Sequence, residues 1–248
     1  MKEFKGDATL GIISSKLTLQ GPIIKDKTSF IVAARRTYAD LFVKPFMPAS
    51  TDLTLYFYDL NAKVNHKISK NDRLYLSAYM GNDAFGVDYD GSQGGGKGDE
   101  GDEGEDGTLN FGLGYGNITS TLRWNHLFSD KLFSNTTLTY SRYSFHTDFG
   151  VSSTQSTALG AENTEINFGY LSGIEDLGAR IDFDYAPNPN HDIKFGTSYT
   201  YHYFFPGETH LRYDSNQVVI RDTSINFSGT TNVHEMFFYL EDNVKITN

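Results

Sequence analysis

Leu74, Leu76, Ala78 and Met80 alternate with Arg73, Tyr75, Ser77 and Tyr79, and the same two-residue rhythm recurs along most of the chain. Asp59, Asn61, Lys63 and Asn65 oppose Tyr58, Leu60, Ala62 and Val64. Ile118, Leu122 and Trp124 oppose Asn117, Thr119, Thr121, Arg123 and Asn125. Ala179, Ile181, Phe183 and Tyr185 oppose Arg180, Asp182 and Asp184, and Ile193, Phe195, Tyr199 and Tyr201 oppose Lys194, Gly196, Ser198 and His202. A strand whose faces differ so regularly separates two environments.

The pattern predicts about nine strands. They span 8–20, 28–38, 55–68, 73–80, 116–128, 132–145, a seventh ending at Tyr185, 192–205 and 235–246. A small hairpin is expected around Val218-Val219-Ile220. Short polar turns at 21–27, Ser69-Lys70-Asn71-Asp72, Ser129-Asp130-Lys131 and Asn188-Pro189-Asn190 alternate with long loops near 39–54, 82–115, 150–163 and 206–233. Pro22 and Asp26 suit the first turn. The fold class is therefore all-β, a long antiparallel up-and-down meander. The strands are long for a soluble sheet and suit a tilted crossing of a bilayer. Their polar faces carry both charge signs, which suits a wet lumen or the surroundings of an internal plug.

Composition narrows this. The longest apolar runs, such as 30–34 and 236–240, are far short of the ~20 residues of a transmembrane helix. Aromatics reach 15%, with 16 Tyr and 19 Phe, which suits interfacial girdles. The net charge of -10 excludes a general affinity for nucleic acid. With 0 Cys there is no disulfide scaffold and no thiolate metal site. The residues Met1–Gly6 hold no apolar export segment. Closed single-chain bacterial barrels have even strand numbers, so an odd count implies an incomplete piece.

Several stretches resemble TonB-dependent outer-membrane receptors of the Bacteroidetes type, in the early part of their barrel. They are SKLTLQGPIIKDKTSFIVAARRTY (15–38), FYDLNAKVNHKIS (57–69), DRLYLSAYMG (72–81), GNITSTLRWNHLFSDKLFSNTTLTYSRY (116–143) and DFDYAPNPNHDIKFGTSYTYHYFFPG (182–207). The end, 239–246, is similar too. The resemblance implies part of a transmembrane barrel of about 22 strands with a plug in its lumen. Residues 1–248 would be one partial barrel domain lacking the plug. The implied function is import of a scarce bulky ligand (iron chelate, cobalamin, glycan or peptide) across the cell outer membrane. The implied partners are outer-membrane lipid, a TonB-type energy-transducing complex acting through the missing plug, and a surface lipoprotein. By analogy the long loops are extracellular. A passive porin-type barrel and a soluble or surface β-sheet carbohydrate-binding protein are the alternatives. The edge strands and lipid-facing surface predict poor stability for the isolated chain in plain buffer.

The remaining motifs yield no catalytic, cofactor-binding or metal-binding residue, so the chain reads as no enzyme. Gly91–Lys97 has phosphate-loop spacing and 96–101 has GxGxxG spacing, but Gly repeats generate both and the six acidic residues of 99–106 repel phosphate. The seven histidines are dispersed, and His234-Glu235 lacks the second His of a zinc helix. Asp182 and Asp184 share a face as a glycosidase pair would, but beside Arg180 they read as a charge ladder. Arg35-Arg36 ends a strand near the expected outer rim, where the pair snorkels or meets lipopolysaccharide phosphates.

Overall fold

Alternation of this kind leaves each strand dependent on its neighbours for backbone hydrogen bonds, and the chain pairs them in sequence. The computed structural model describes residues 1–91, 105–157, 160–226 and 229–246. It is a single antiparallel sheet of 11 strands. In order they are β1 (Lys5–Leu10), β2 (Ser14–Ile24), β3 (Thr28–Thr37), β4 (Thr51–Lys67), β5 (Asp72–Asp90) and β6 (Glu105–Ser129). Then follow β7 (Leu132–Thr157), β8 (Gly160–Asn188), β9 (His191–Ser215), β10 (Val218–Asn226) and β11 (Thr231–Val244). A helix α1 (Ala39–Val43) and a 3-10 turn (Lys44–Phe46) join β3 to β4.

The sheet is an unclosed meander. β1 through β10 follow one another in order, and β11 pairs β9. β10 covers β9 from Glu208 to Ser215, and β11 covers it from His191 to Phe204. Both run the same way along one edge, so together they act as one interrupted strand. Between them, β9 bulges at 205–207, where the β8 register shifts between Leu171 and Gly173. Gly207 adopts φ 143 there, a backbone state that favours glycine. The β9–β10 turn has positive φ at both Asn216 and Gln217, the signature of a tight hairpin.

Three sequence expectations change. The predicted strand 8–20 is two strands, because Gly11-Ile12-Ile13 forms a turn closed by the Gly11 N–H donating to the Ser14 carbonyl at 2.9 Å. The count is 11 rather than about nine. Much of 82–115, 150–163 and 206–233 is strand rather than loop: β5 continues to Asp90, β7 to Thr157 and β9 to Ser215.

The last change has a physical cause. Directly paired residues of an antiparallel sheet share a face. Near the short turns, Phe30, Val64, Leu76, Leu122, Leu138, Ala179, Tyr199 and Met236 form one continuous row. The reverse side of the same level carries Ser29, Asn65, Tyr75, Arg123, Thr137, Arg180 and Ser198. Farther from those turns the faces exchange character. The Leu76 face becomes Asp88, Asn110, Gly150, Asn167, Arg212 and Asp222, while the Tyr75 face becomes Leu53, Val87, Phe111, Phe149, Phe168 and Leu211. The β5–β6 ladder runs through this exchange with no bulge. Alternation persists in opposite phase, and a sequence scan reads the phase change as a strand end.

Among the described residues no aliphatic, aromatic or Met side chain is buried, so the sheet has no core of its own. Leu76, Leu138 and Leu177 are 49%, 50% and 55% exposed, with no second layer over them. Leu74, Ile181 and Phe195 are half-buried by their sheet neighbours alone.

Candidate functional site

The face exchange puts apolar and polar groups side by side on the Tyr75 face, and a cleft opens there. It has a volume of about 540 Å³ and spans β3 to β6. Successive sheet rows build it. The lower row pairs Arg35 with Asp59 and Asp59 with Gly81. The next pairs Phe57 with Asp83 and Asp83 with Tyr115. The row above pairs Leu55 with Phe85 and Phe85 with Leu113. Polar groups thus line one end of the cleft and hydrocarbon the other.

Each polar group is held. The Arg35 guanidinium donates from Nε to Asp59 Oδ2 at 2.7 Å, with Nη2 also 2.7 Å from that oxygen, and its Cζ lies 4.9 Å from the Phe57 ring centre. Such stacking suits the planar guanidinium. Tyr79 lies along its own strand over Gly81; a Cβ at Gly81 would fall 2.4 Å from the Tyr79 hydroxyl. The Tyr115 hydroxyl donates to the Asp83 carboxylate, and that bond together with the carboxylate's charge raises the phenol's pKa above its usual value. Thr37 Oγ1 accepts the Phe57 N–H at 2.8 Å, which fixes the strand beneath the ring.

Local structure also supplies the rim. Ile13, in the β1–β2 turn, and Ala39, opening α1, border the cleft. The Tyr38 N–H donates to the Ile13 carbonyl at 2.9 Å, and its hydroxyl donates to the Gly11 carbonyl, tying turn and helix together. Beyond α1, Lys44 and Asp52 pair at 2.8 Å, which lowers the Asp52 pKa and raises that of Lys44.

The residues singled out from the sequence fall as follows. Arg35 and Arg36 do not act as a rim pair. Arg35 faces the cleft, while Arg36 points to the opposite side, its Cζ 5.8 Å from the Tyr56 ring centre. Adjacent strand residues necessarily face apart. Asp182 accepts both from Arg180 Nε at 2.9 Å and from the Tyr239 hydroxyl at 2.7 Å, which is a structural charge ladder. His126, His191, His202 and His210 each meet a carboxylate, on Asp72, Asp242, Asp176 and Asp222 respectively. His66 meets Thr28 Oγ1 and His234 meets the Tyr199 hydroxyl. Among the described residues no three such groups converge to hold a metal. The phosphate-loop and GxGxxG spacings, and most of the acidic run, lie outside the described residues.

Sequence reasoning missed the cleft. Its components come from four strands, and Asp83, Phe85, Leu113 and Tyr115 lie in what reads as a loop. The signal that was present is the phase change itself, with Phe85, Val87 and Tyr89 alternating after Gly81.

A second feature lies toward the short turns on the same face. The side-chain oxygens of Asn65, Asn125 and Asn135 are buried without a hydrogen-bond partner. Asn125 and Asn135 are directly paired.

No protein-family model matches the chain, and no curated protein matches it. Among solved structures, the ferric yersiniabactin uptake receptor FyuA from Yersinia pestis aligns at 11% identity and a TM-score of 0.30. That alignment covers 95% of this chain, which spans 42% of the FyuA chain. A bacterial polysaccharide outer-membrane secretin aligns at 9% identity and a TM-score of 0.19, covering 92% of this chain and 88% of the secretin. OmpT of Vibrio cholerae aligns at 8% and 0.14, covering 94% and 92%. Likeness this remote carries no functional argument, and the sheet's own chemistry has to supply one.

Proposed function

We propose that this chain forms part of the wall of an outer-membrane β-barrel, and that the barrel is a TonB-dependent receptor importing a scarce, bulky ligand. The carrying observation is the uncovered apolar band on the Leu76 face. Between the short turns and the face exchange it occupies about ten residues of each long strand, the length of a tilted β crossing. Hydrocarbon solvates such a band; water does not. Trp124, Phe183 and Phe195 lie toward its turn side, and Tyr140, Tyr201 and Tyr203 toward its far side, as interfacial girdles do. The Tyr75 face of the same band, with Arg123, Thr137 and Arg180, suits a wet lumen.

The finer reading draws on two further supports. The outer edges of β1 and of the β10–β11 line have no strand partner among the described residues, so closure needs additional strands and gives a wide barrel. The exposed Arg123 and Arg180 of the same lumen-facing band suit contact with a polar body inside the lumen, such as a plug engaged by a TonB-type partner. In this reading the chain is a conduit and catalyses nothing.

Two measurements test it. The protein extracted whole from its membrane should need detergent for solubility and migrate differently on gels with and without heating. Reconstituted in planar bilayers, a plugged receptor gives no steady conductance. Steady open channels would replace it with a passive porin, and a detergent-independent soluble protein would remove the barrel altogether.

A further inference from the structure

The geometry points to the β3–β6 cleft as a binding subsite for a neutral glycan, taking a pyranose ring between its apolar and polar ends. This rests on the luminal placement proposed above and names the ligand class.

A pyranose has one or two flat C–H faces and a rim of hydroxyls that both donate and accept. The cleft matches both. Phe57, Phe85 and Leu113 present hydrocarbon and ring faces, and Phe85 is braced edge-on by Phe111 at 6.1 Å. Below them stand the Asp83 carboxylate, the Tyr79 and Tyr115 hydroxyls and the remaining donors of Arg35. A carboxylate has about four lone-pair sites. Asp83 takes one hydrogen bond from Tyr115, so it retains acceptors for sugar hydroxyls. The volume of about 540 Å³ suits a short oligosaccharide segment.

Charge selects among ligands. Asp59 is neutralised by Arg35. Asp83 has no such cation among the residues lining the cleft, whose charged members are Arg35, Asp59 and Asp83, so the cleft carries a net negative charge within a chain of net charge -10. A phosphate, a polycarboxylate or an anionic chelate is repelled. A purely aliphatic ligand would strand the polar floor without partners. The groups are also pre-positioned, because Arg35 is fixed by Asp59 and Phe57, and Tyr115 by Asp83. Little side-chain ordering is left to oppose binding.

The test uses the protein extracted whole in detergent, titrated calorimetrically with cellohexaose, maltohexaose, xylohexaose and mannohexaose, and with hexagalacturonate as the anionic counterpart. At least one neutral hexasaccharide should bind. Asp83→Asn and Phe57→Ala should each weaken it about tenfold or more, while Thr137→Ala, on the same face outside the cleft, leaves it unchanged. Retained heat-modifiable mobility shows that the variants fold. The inference is overturned if no neutral sugar binds up to about 10 mM, if hexagalacturonate binds better, or if the two cleft variants bind normally. Each of these results leaves the membrane assay untouched, so loss of the glycan and loss of the barrel are read separately.

Discussion

Met80 and Phe85 stand on one unbroken strand and point to opposite sides of the sheet: Met80 pairs Ile118 in the apolar band, and Phe85 pairs Leu113 in the cleft. Between them Gly81 pairs Asn117 and Asn82 pairs Gly116, and the ladder keeps its register throughout. Apolar character moves across the sheet without any movement of the backbone. In a barrel this marks the level where the outer surface leaves hydrocarbon. Cysteines at Leu76 and Leu138 should be quenched by lipid-borne probes when carrying a fluorophore, whereas those at Phe85 and Leu113 should not. Asp88 and Asp148, on the same side as Leu76, should instead react with a membrane-impermeant reagent. Lipid contact at Phe85 would invalidate the assignment of faces.

The band also fixes the sign and size of substitutions within it. Leu122→Arg places a charge in the middle of the apolar row and should destabilise the folded barrel by about 2–4 kcal/mol. Thr121→Arg, one residue away, points to the wet face beside Ser77 and Thr139 and should change stability far less. Urea unfolding in phospholipid vesicles compares the two, and equal losses would argue against a lipid-facing band.

Much of this was legible in the chain. The alternation at 73–80 and 179–185 identified the sheet and its two faces, and three of the four short turns fell where expected because Asp, Asn, Pro and Ser mark them chemically, whereas the turn expected at 21–27 is confined to 25–27, with Gly21 and Pro22 paired inside β2. Two things were not legible. The strand extents failed wherever alternation changed phase, since a window that straddles Gly81 or Gly116 averages two opposite patterns to none. The cleft failed because contact between Arg35 and Asp59, or between Asp83 and Tyr115, depends on register between strands, which no local pattern encodes. The splitting of 8–20 failed for a smaller reason: Gly11-Ile12-Ile13 carries only one turn-forming residue.

The turn at 68–71 should respond to acid. Asp72 accepts hydrogen bonds from Ser69 Oγ at 2.6 Å and Trp124 Nε1 at 3.1 Å, and pairs with His126 at 2.6 Å. These contacts, that from Ser69 foremost, lower its pKa below the usual 3.8. A carboxyl with a depressed folded pKa stabilises the native state above its unfolded value, and that contribution disappears as pH falls through the folded value. Unfolding of the wild type, followed from about pH 6 downward, should therefore lose stability in this acid range. Asp72→Asn should start less stable at neutral pH and lose less on acidification. A parallel shift of both curves would show that Asp72 is not the titrating group.

The Tyr115–Asp83 pair offers a spectroscopic check on the cleft that needs no ligand. Because Asp83 raises the Tyr115 pKa, Tyr115 should ionise later than an ordinary tyrosine in an alkaline ultraviolet titration. Tyr115→Phe should delete a late-titrating component, and Asp83→Asn should move that component to lower pH. No change in the late component in either variant would mean that the hydroxyl and carboxylate do not meet.

The break between β10 and β11 gives the sharpest backbone prediction. At Gly207 the chain adopts φ 143, and a Cβ there would lie 2.5 Å from the Tyr170 ring. Tyr170 cannot readily withdraw, because its hydroxyl donates to the Pro206 carbonyl at 2.9 Å. That bond pins the bulge of β9 against β8 at the level where β10 gives way to β11. Gly207→Ala therefore meets backbone strain and a steric conflict together, and should destabilise the sheet by about 1–3 kcal/mol. Gly178→Ala is the matched control, since its Cβ would meet nothing nearer than 3.7 Å. Tyr170→Phe, which loses only the hydroxyl, should fall between them. Should Gly207→Ala unfold no more readily than Gly178→Ala, the bulge is pliable rather than pinned, and the β10–β11 interruption is then set by residues other than Tyr170 and Gly207.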